Sequence, residues 1–253
     1  MLSVPLGTRS KLTIFIKLNL KNISTHALCP RLLSADSVVL DLGANTGEFS
    51  RQITADFHCA VHAVEASPLM YAALPENPLI TNHQVAICST DGPVLLHISS
   101  NPEATSLQRL KGFSYSEQVE VCGRKLTTFV SEQRILRIDL LKLDIEGAEI
   151  GVLKSLPSEF LNSIDQVSVE FHEWLGGSTK EEVEFIISKI KKIGFHFFSL
   201  VRGNYSNVLF VNKRRMNSIQ YWSTLLFHWV PRILCFLIRV IKDRLLKGAI
   251  RVR

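Results

Sequence analysis

Short apolar runs alternate with amphipathic stretches along this chain from Val38 to Val211. Val38–Leu42 is apolar and β-branched at its start, the pattern of a strand covered on both faces, and Glu48–Ile53 after it reads as helix. Further strands are predicted at Ala60–Val64, Gln84–Cys88, Ile138–Gly147, Gln166–His172, Phe195–Val201 and Asn207–Val211. Ser67–Pro68 starts a short helix, Ala148–Leu156 reads as a second, and Ser178–Glu181 resembles a capping signal before a third that runs to Ile193. Asp91–Gly92–Pro93 and Arg202–Gly203–Asn204 have turn composition. Strands alternating with helices predict a doubly wound α/β fold with a mainly parallel sheet. Three segments follow: a partly helical lead-in over residues 1–37, the α/β domain over 38–212, and a tail over 213–253. The stretch Ser99–Gln118, rich in small and polar residues, is expected to be a mobile insertion facing the substrate.

The turn after the first strand, Asp41–Leu42–Gly43–Ala44–Asn45–Thr46–Gly47, places two glycines four residues apart. Without a Cβ, each lets the chain take a positive φ or lets backbone N–H groups approach a ligand. The next strand ends in Glu65, about 20 residues on, where doubly wound folds carry the acid that binds a ribose. The loop is D-x-G-x-x-x-G. It is neither the G-x-G-x-x-G of dinucleotide folds nor a P-loop with its Lys-Ser/Thr pair.

Acids also gather where later strands should end. Residues two apart on a strand share a face, which would pair Asp144 with Glu146 and Glu170 with His172. Open α/β sheets bind ligands beyond the carboxyl ends of their strands, so three carboxylates and an imidazole are expected to meet there beside Gly43 and Glu65. Such a group is costly to bury without ligands or partners. A strand-end network that merely orients loops is the structural alternative.

Lys142–Leu143–Asp144–Ile145–Glu146–Gly147–Ala148–Glu149, followed by Val152–Leu153, resembles the K-[IL]-D-[VI]-E-G-[AS]-E signature of the FkbM family of methyltransferases, which use S-adenosylmethionine (SAM). The Asp41–Gly47 loop is similar to that family's D-[VL]-G-A-N-x-G, and Glu170–Phe171–His172 to its E-x-H strand. Val64–Glu65–Ala66–Ser67–Pro68 resembles its ribose-acid segment, although Ala66 stands where the family usually has proline. The resemblance covers about residues 38–211 and implies a seven-stranded, Rossmann-like class I methyltransferase sheet. It implies SAM contacts at Asp41, Gly43, Asn45, Gly47 and Glu65, with Asp41, Gly43 and Gly47 shaping the methionine end and Glu65 holding the ribose. It also implies methyl transfer to a hydroxyl on a sugar, glycan or similar acceptor, with His172 or Asp144 as general base and Glu146 orienting it or the acceptor. The same carboxylates and imidazole could hold Mg²⁺ or Mn²⁺; a metal-free site is the favoured expectation. The rival readings are a membrane-associated module that binds SAM without turnover, and an NAD(P)-dependent oxidoreductase, the latter disfavoured by the glycine pattern.

Charge changes the picture only at the end of the chain. Net charge is +6, yet residues 213–253 hold ten Lys/Arg and one acid, leaving 19 basic and 22 acidic groups elsewhere. That distribution argues against a catalytic domain that grips nucleic acid. From Leu234 to Leu245 apolar residues recur at helical spacing opposite a basic face, and Tyr221, Trp222, Leu225, Leu226, Phe227 and Trp229 precede them. His228, Pro231 and Arg232 interrupt the apolar run before the roughly 20 residues a membrane span needs. The expected partner of residues 219–253 is therefore an anionic membrane surface, with packing on the core or on a second copy in a homodimer as the alternative. Five scattered cysteines without C-x-x-C spacing suit a reducing cytoplasm, and the basic N-terminus reads as mature sequence rather than a leader. The expected location is cytoplasmic and peripheral at the inner membrane face.

Overall fold

The computed structural model describes residues 20–99, 105–109, 111–173, 178–201 and 204–226. Asn19–Asn217 form one compact unit. Among the described residues, seven of its strands make one sheet: β3 (Val38–Leu42), β4 (Ala60–Glu65), β5 (Ile80–Gln84), β9 (Leu140–Leu143), β10 (Gln166–Val169), β11 (Phe195–Ser199) and β12 (Val208–Asn212). Their order is β11-β12-β10-β9-β3-β4-β5. All neighbours are parallel except β12, which runs antiparallel to both β10 and β11. The chain leaves β3 toward one edge through β4 and returns to β9 on its other side. This puts a topological switch point, the usual ligand crevice of open α/β sheets, between β3 and β9.

Both faces are covered, which explains why β3 and β12 read as largely apolar runs and why even Lys142 of β9 and Gln166 and Ser168 of β10 are buried. Leu40, Leu42, Leu141, Leu143, Val167 and Val169 pack with α4 (Glu149–Ser155) and α6 (Lys180–Ile193). On the other face Val39, Val61, Ala63 and Leu140 pack with α1 (Glu48–Phe57) through Phe49 and Ile53. The capping signal is real: the Thr179 hydroxyl accepts from the Glu182 amide while Glu182 accepts from the Thr179 amide.

Three regions differ from the sequence reading. Residues 20–37 are not a helical lead-in. They form a hairpin, β1 (Lys21–Ile23) and β2 (His26–Leu28), and a 3-10 turn at Pro30–Leu32. Ile23 and Leu28 belong to the α1 side of the core, so burial overrides the weak local periodicity. The strand predicted at Gln84–Cys88 is split, with Gln84 closing β5 and β6 (Ala86–Cys88) joining a separate small sheet ordered β6-β8-β7, with β7 at Gly92–Ser99 and β8 at Tyr115–Lys125. The expected insertion Ser99–Gln118 is thus the far end of the β7–β8 hairpin; residues 100–104 and 110 lie outside the described residues.

A second unit contains Ser218–Arg253. Its described part, residues 218–226, is helical, with Ile219, Trp222 and Leu226 exposed. The predicted amphipathic helix from Leu234 onward lies outside the described residues. No described helix is long and apolar enough to cross a membrane.

Candidate active site

The site is assembled at the carboxyl ends of β3, β4, β9 and β10. After β3 the chain turns sharply, with Gly43, Asn45 and Gly47 at φ of +77°, +51° and +75°. Asparagine tolerates this region and glycine enters it freely. The Gly43 and Ala44 amides donate to Val64 O at 2.9 and 3.0 Å, tying the loop to the end of β4. There Glu65 accepts from two backbone amides, Asn45 through Oε2 and Ser67 through Oε1, each at 2.8 Å. Burial raises its pKa, against the lowering pull of those two amides and Lys142.

Asp41 and Lys142 are cross-strand partners in the β3–β9 register, so their side chains share a face. Lys142 is only 4% exposed, with Nζ 2.7 Å from Gly43 O, 3.1 Å from Asp41 Oδ1 and 3.5 Å from Asp144 Oδ2. Burial favours the neutral amine, but Asp41, Asp144 and Glu65 overcome it and the pKa is raised. Asp41 also accepts from Ser50 Oγ at 2.7 Å and is wholly buried. It braces the loop from beneath and is not part of the cavity lining, although the resemblance places it among the cofactor contacts. Gly47 likewise stands outside the cavity wall: it opens α1, and a Cβ there would stand 2.3 Å from Pro75 Cδ.

Beyond β9 the expected strand-face pairing does not occur, because β9 ends at Leu143 and β10 at Val169. Asp144, Glu146, Glu170 and His172 all lie in the following loops. They converge nonetheless. Glu146 takes a left-handed φ of +52°, a costly conformation for a residue with a side chain. Glu149 stabilises it: buried at the start of α4, its carboxylate accepts from the Ile145 amide at 2.9 Å and the Gly147 amide at 3.0 Å. The same carboxylate lies 3.0 Å from His172 Nδ1, which turns Nε2 toward Glu146 Oε2 at 3.4 Å and Asp144 Oδ1 at 3.5 Å.

The electrostatics divide these groups. For Asp144, burial is outweighed by Lys142, His26 and His172, so the pKa is lowered and the carboxylate stays ionised. For Glu146, burial leads and Asp144, Glu149 and Glu170 add to it; despite His172, the pKa rises from 4.5 to about 8. For His172, burial favours the neutral ring, but Glu149, Glu146 and Asp144 prevail and lift it from 6.5 to about 9. Glu170 is raised by burial and by Asp144, and its Oε2 accepts from Thr25 Oγ1 at 3.2 Å.

A cavity with about 640 Å³ of free space, its open mouth included, lies over the switch point. Gly43, Asn45, Glu65, Asp144 and Glu146 line it, together with Ala86, Ile87 and Leu96 of the small sheet. Thr105, Ser106 and Leu107 of the β7–β8 hairpin also line it, and Ser106 Oγ donates to the Glu146 carbonyl. His172 is recessed behind Asp144 and Glu146. Lys142 and Glu149 stand in the signature, and the lysine inside an otherwise apolar strand is itself a signal of a buried ion pair. His26 carried no local signal at all.

The methyltransferase FkbM domain model matches residues 41–197, and the chain belongs to that family. It is 26% identical over 162 residues to Methyltransferase 1 of Beauveria bassiana, covering 53% of this chain and 64% of that protein. It is 26% identical over 191 residues to Methyltransferase sdnD of Sordaria araneosa, covering 61% of this chain and 73% of that one. The crystal structure of methyltransferase FkbM from Methylobacillus flagellatus KT superposes with a TM-score of 0.47 at 13% identity, over 71% of this chain and 44% of that one. The chain therefore spans less than two thirds of the length of the first of these relatives and of the solved structure.

Proposed function

We propose that this chain is a SAM-dependent methyltransferase that methylates a hydroxyl of a sugar, glycan or related small-molecule acceptor. The observation that carries this reading is the meeting, in one cavity, of a glycine-loop nucleoside cradle with an ionised and a proton-poised carboxylate. The residues suit the cofactor. Glu65, held by two amides, keeps lone pairs for ribose hydroxyls, Gly43 and Asn45 let the backbone approach, and ionised Asp144 favours a cation nearby. Bound there, SAM supplies a methyl group made electrophilic by its sulfonium.

The chain's own contribution is positioning and proton removal. The expected roles of Glu146 and His172 exchange. Glu146 faces the cavity with a pKa of about 8, close to that of an efficient general base, whereas His172 is recessed and protonated at neutral pH. Glu146 Oε accepts the acceptor's hydroxyl proton as its oxygen becomes nucleophilic, and His172, oriented by Glu149, stabilises the carboxylate form. Nearby positive charge, including a sulfonium, lowers the Glu146 pKa and readies it for that step. A divalent ion is not needed to neutralise Asp144, which already has Lys142 beside it.

The membrane reading also stands as a proposal, supported by exposed Ile219, Trp222 and Leu226 and by the basic residues that follow in sequence. The deciding experiment for the enzyme is calorimetric titration of SAM into the chain and into Glu65→Ala, followed by transfer of radiolabelled methyl to a panel of hydroxylated saccharides. Binding weakened by the substitution supports the reading; absence of binding in folded protein overturns it.

A further inference from the structure

His26 lies upstream of the family match, on a hairpin that local sequence does not tie to the site, yet it reaches the centre of it. The ring is 2% exposed and packs edge-on against Phe49, with centroids 5.7 Å apart and planes at 82°. Its Nε2 is 3.2 Å from Asp144 Oδ2. The residues around it are fastened to the far side of the sheet. The Ala27 amide donates to Asn207 Oδ1 at 3.2 Å, and Asn207 Nδ2 donates back to Thr25 O. The Cys29 amide donates to Gln166 Oε1 at 2.8 Å. A histidine held from both sides by buried side-chain amides has little freedom to leave Asp144.

The tautomer follows from the surroundings. Nδ1 is buried with no hydrogen-bond partner among the described residues. A proton on Nδ1 would bury a donor with nothing to accept it, while a proton on Nε2 points at a carboxylate. Nε2 therefore carries a hydrogen and donates it to Asp144. The two oxygens of Asp144 then have different tasks: Oδ2 is engaged by His26 and lies 3.5 Å from Lys142, and Oδ1 faces His172 Nε2.

Resting on the methyl-transfer reading, we infer that His26 is a positioning residue of the active site, donating from Nε2 to Asp144 Oδ2 so that the carboxylate is fixed in rotation with Oδ1 presented to the reacting groups. Without that donor Asp144 can turn about its last torsion, because Lys142 is shared with Asp41 and the Gly43 carbonyl. The charged and titratable groups facing Asp144 are Lys142 from β9, His26 from the hairpin, His172 and Glu170 from the loop after β10, and Glu146 from its own loop. Loss of His26 removes one of the three groups that hold Asp144 ionised.

The test uses the full chain with His26→Ala and His26→Gln, the second retaining an amide N–H on a side chain of similar reach. Nitrogen-15 spectra of the imidazoles should show a hydrogen on His26 Nε2 in the wild type, and its Nε2–H signal should move in Asp144→Asn. Carbon-13 spectra of the Asp144 carboxyl should show a higher pKa in His26→Ala. On an acceptor that the saccharide panel identifies, His26→Ala should lower kcat about 10- to 100-fold, the scale of one hydrogen bond to a charged group, with SAM affinity unchanged. His26→Gln should recover most of the rate. An Nδ1–H tautomer, an unmoved Asp144 titration, or equal rates in His26→Ala and wild type would overturn the inference. Equal impairment of both variants would also overturn it, assigning His26 to packing on Phe49. Because the spectra need neither SAM nor acceptor, they judge the inference even if titration shows that the chain does not bind SAM.

Discussion

A Cβ placed on Gly43 would stand 1.7 Å from the carbonyl oxygen of Asp144. The glycine loop after β3 and the acidic loop after β9 are thus in backbone contact, and neither can shift without the other. Gly43→Ala combines this collision with a φ of +77°. Strain of that kind costs on the order of 1–3 kcal/mol. The expected outcome is a lower Tm together with loss of SAM binding by calorimetry, and an unaffected affinity would remove the loop from the cofactor site.

Glu146 should set the pH profile of turnover. As the base it must be unprotonated, so kcat/KM, which reports the free enzyme, rises with pH through about 8 and then levels, the corresponding rise in kcat lies at lower pH, and Glu146→Gln abolishes turnover while leaving SAM affinity near wild type. A profile flat from neutral to alkaline pH would return the base role to Asp144, whose lowered pKa keeps it ionised throughout.

The ligand-free protein should lose stability as pH rises above neutrality. His172 is raised from 6.5 to about 9, so its contribution is full below 6.5 and fades as pH climbs through 9. Glu146, raised from 4.5 to about 8, binds its proton more tightly when folded, and contributes a loss in the same direction up to about 8. Asp144 acts oppositely, its contribution being lost at acid pH. Urea unfolding across pH 6–10 reads the slope; Glu149→Gln should flatten it by lowering the His172 pKa, and an unchanged slope would deny Glu149 that role.

Lys142→Met leaves Asp41 and Asp144 buried beside each other's loops without their common cation. Breaking one side of such a buried pair costs about 3–5 kcal/mol. Denaturation midpoints should show that loss, with partial recovery in Lys142→Met/Asp41→Asn. A loss within 1 kcal/mol, roughly the worth of an exposed pair, would mean Lys142 is not a structural counterion.

Anionic liposomes should sediment the chain, neutral ones should not, and added salt should release it. Trp222→Ala with Leu226→Ala should weaken sedimentation, since both side chains are exposed on the described helix. Equal recovery from neutral and anionic vesicles would leave this surface to a protein partner.

The fold was legible because its central strands are buried on both faces, so Val38–Leu42 announces itself as a largely apolar run. The mainly parallel sheet followed from strand and helix alternation. The small sheet was not legible, since β7 and β8 are half-exposed and their composition resembles a loop. That Gly43, Asn45, Glu65, Asp144, Glu146 and His172 would gather at the strand ends was readable from motif spacing. Asp41, expected at the cofactor, is buried against Ser50 of α1, since spacing cannot tell a residue facing the cavity from one facing a helix. His26 was invisible for a deeper reason: its partner lies 118 positions away, and nothing local records such a contact.

The clasp of Asn207 on Thr25 and Ala27 has a consequence in time. Residues at the beginning of the described chain are seated by a side chain just before β12, the strand that slots in antiparallel between β10 and β11. Contacts of such long sequence separation form late in folding. During synthesis, a chain exposed only as far as β10 would have the glycine loop, the acids and the Gln166 hold on Cys29 but not the Asn207 clasp, so the hairpin around His26 is fully seated only once Asn207 has left the ribosome.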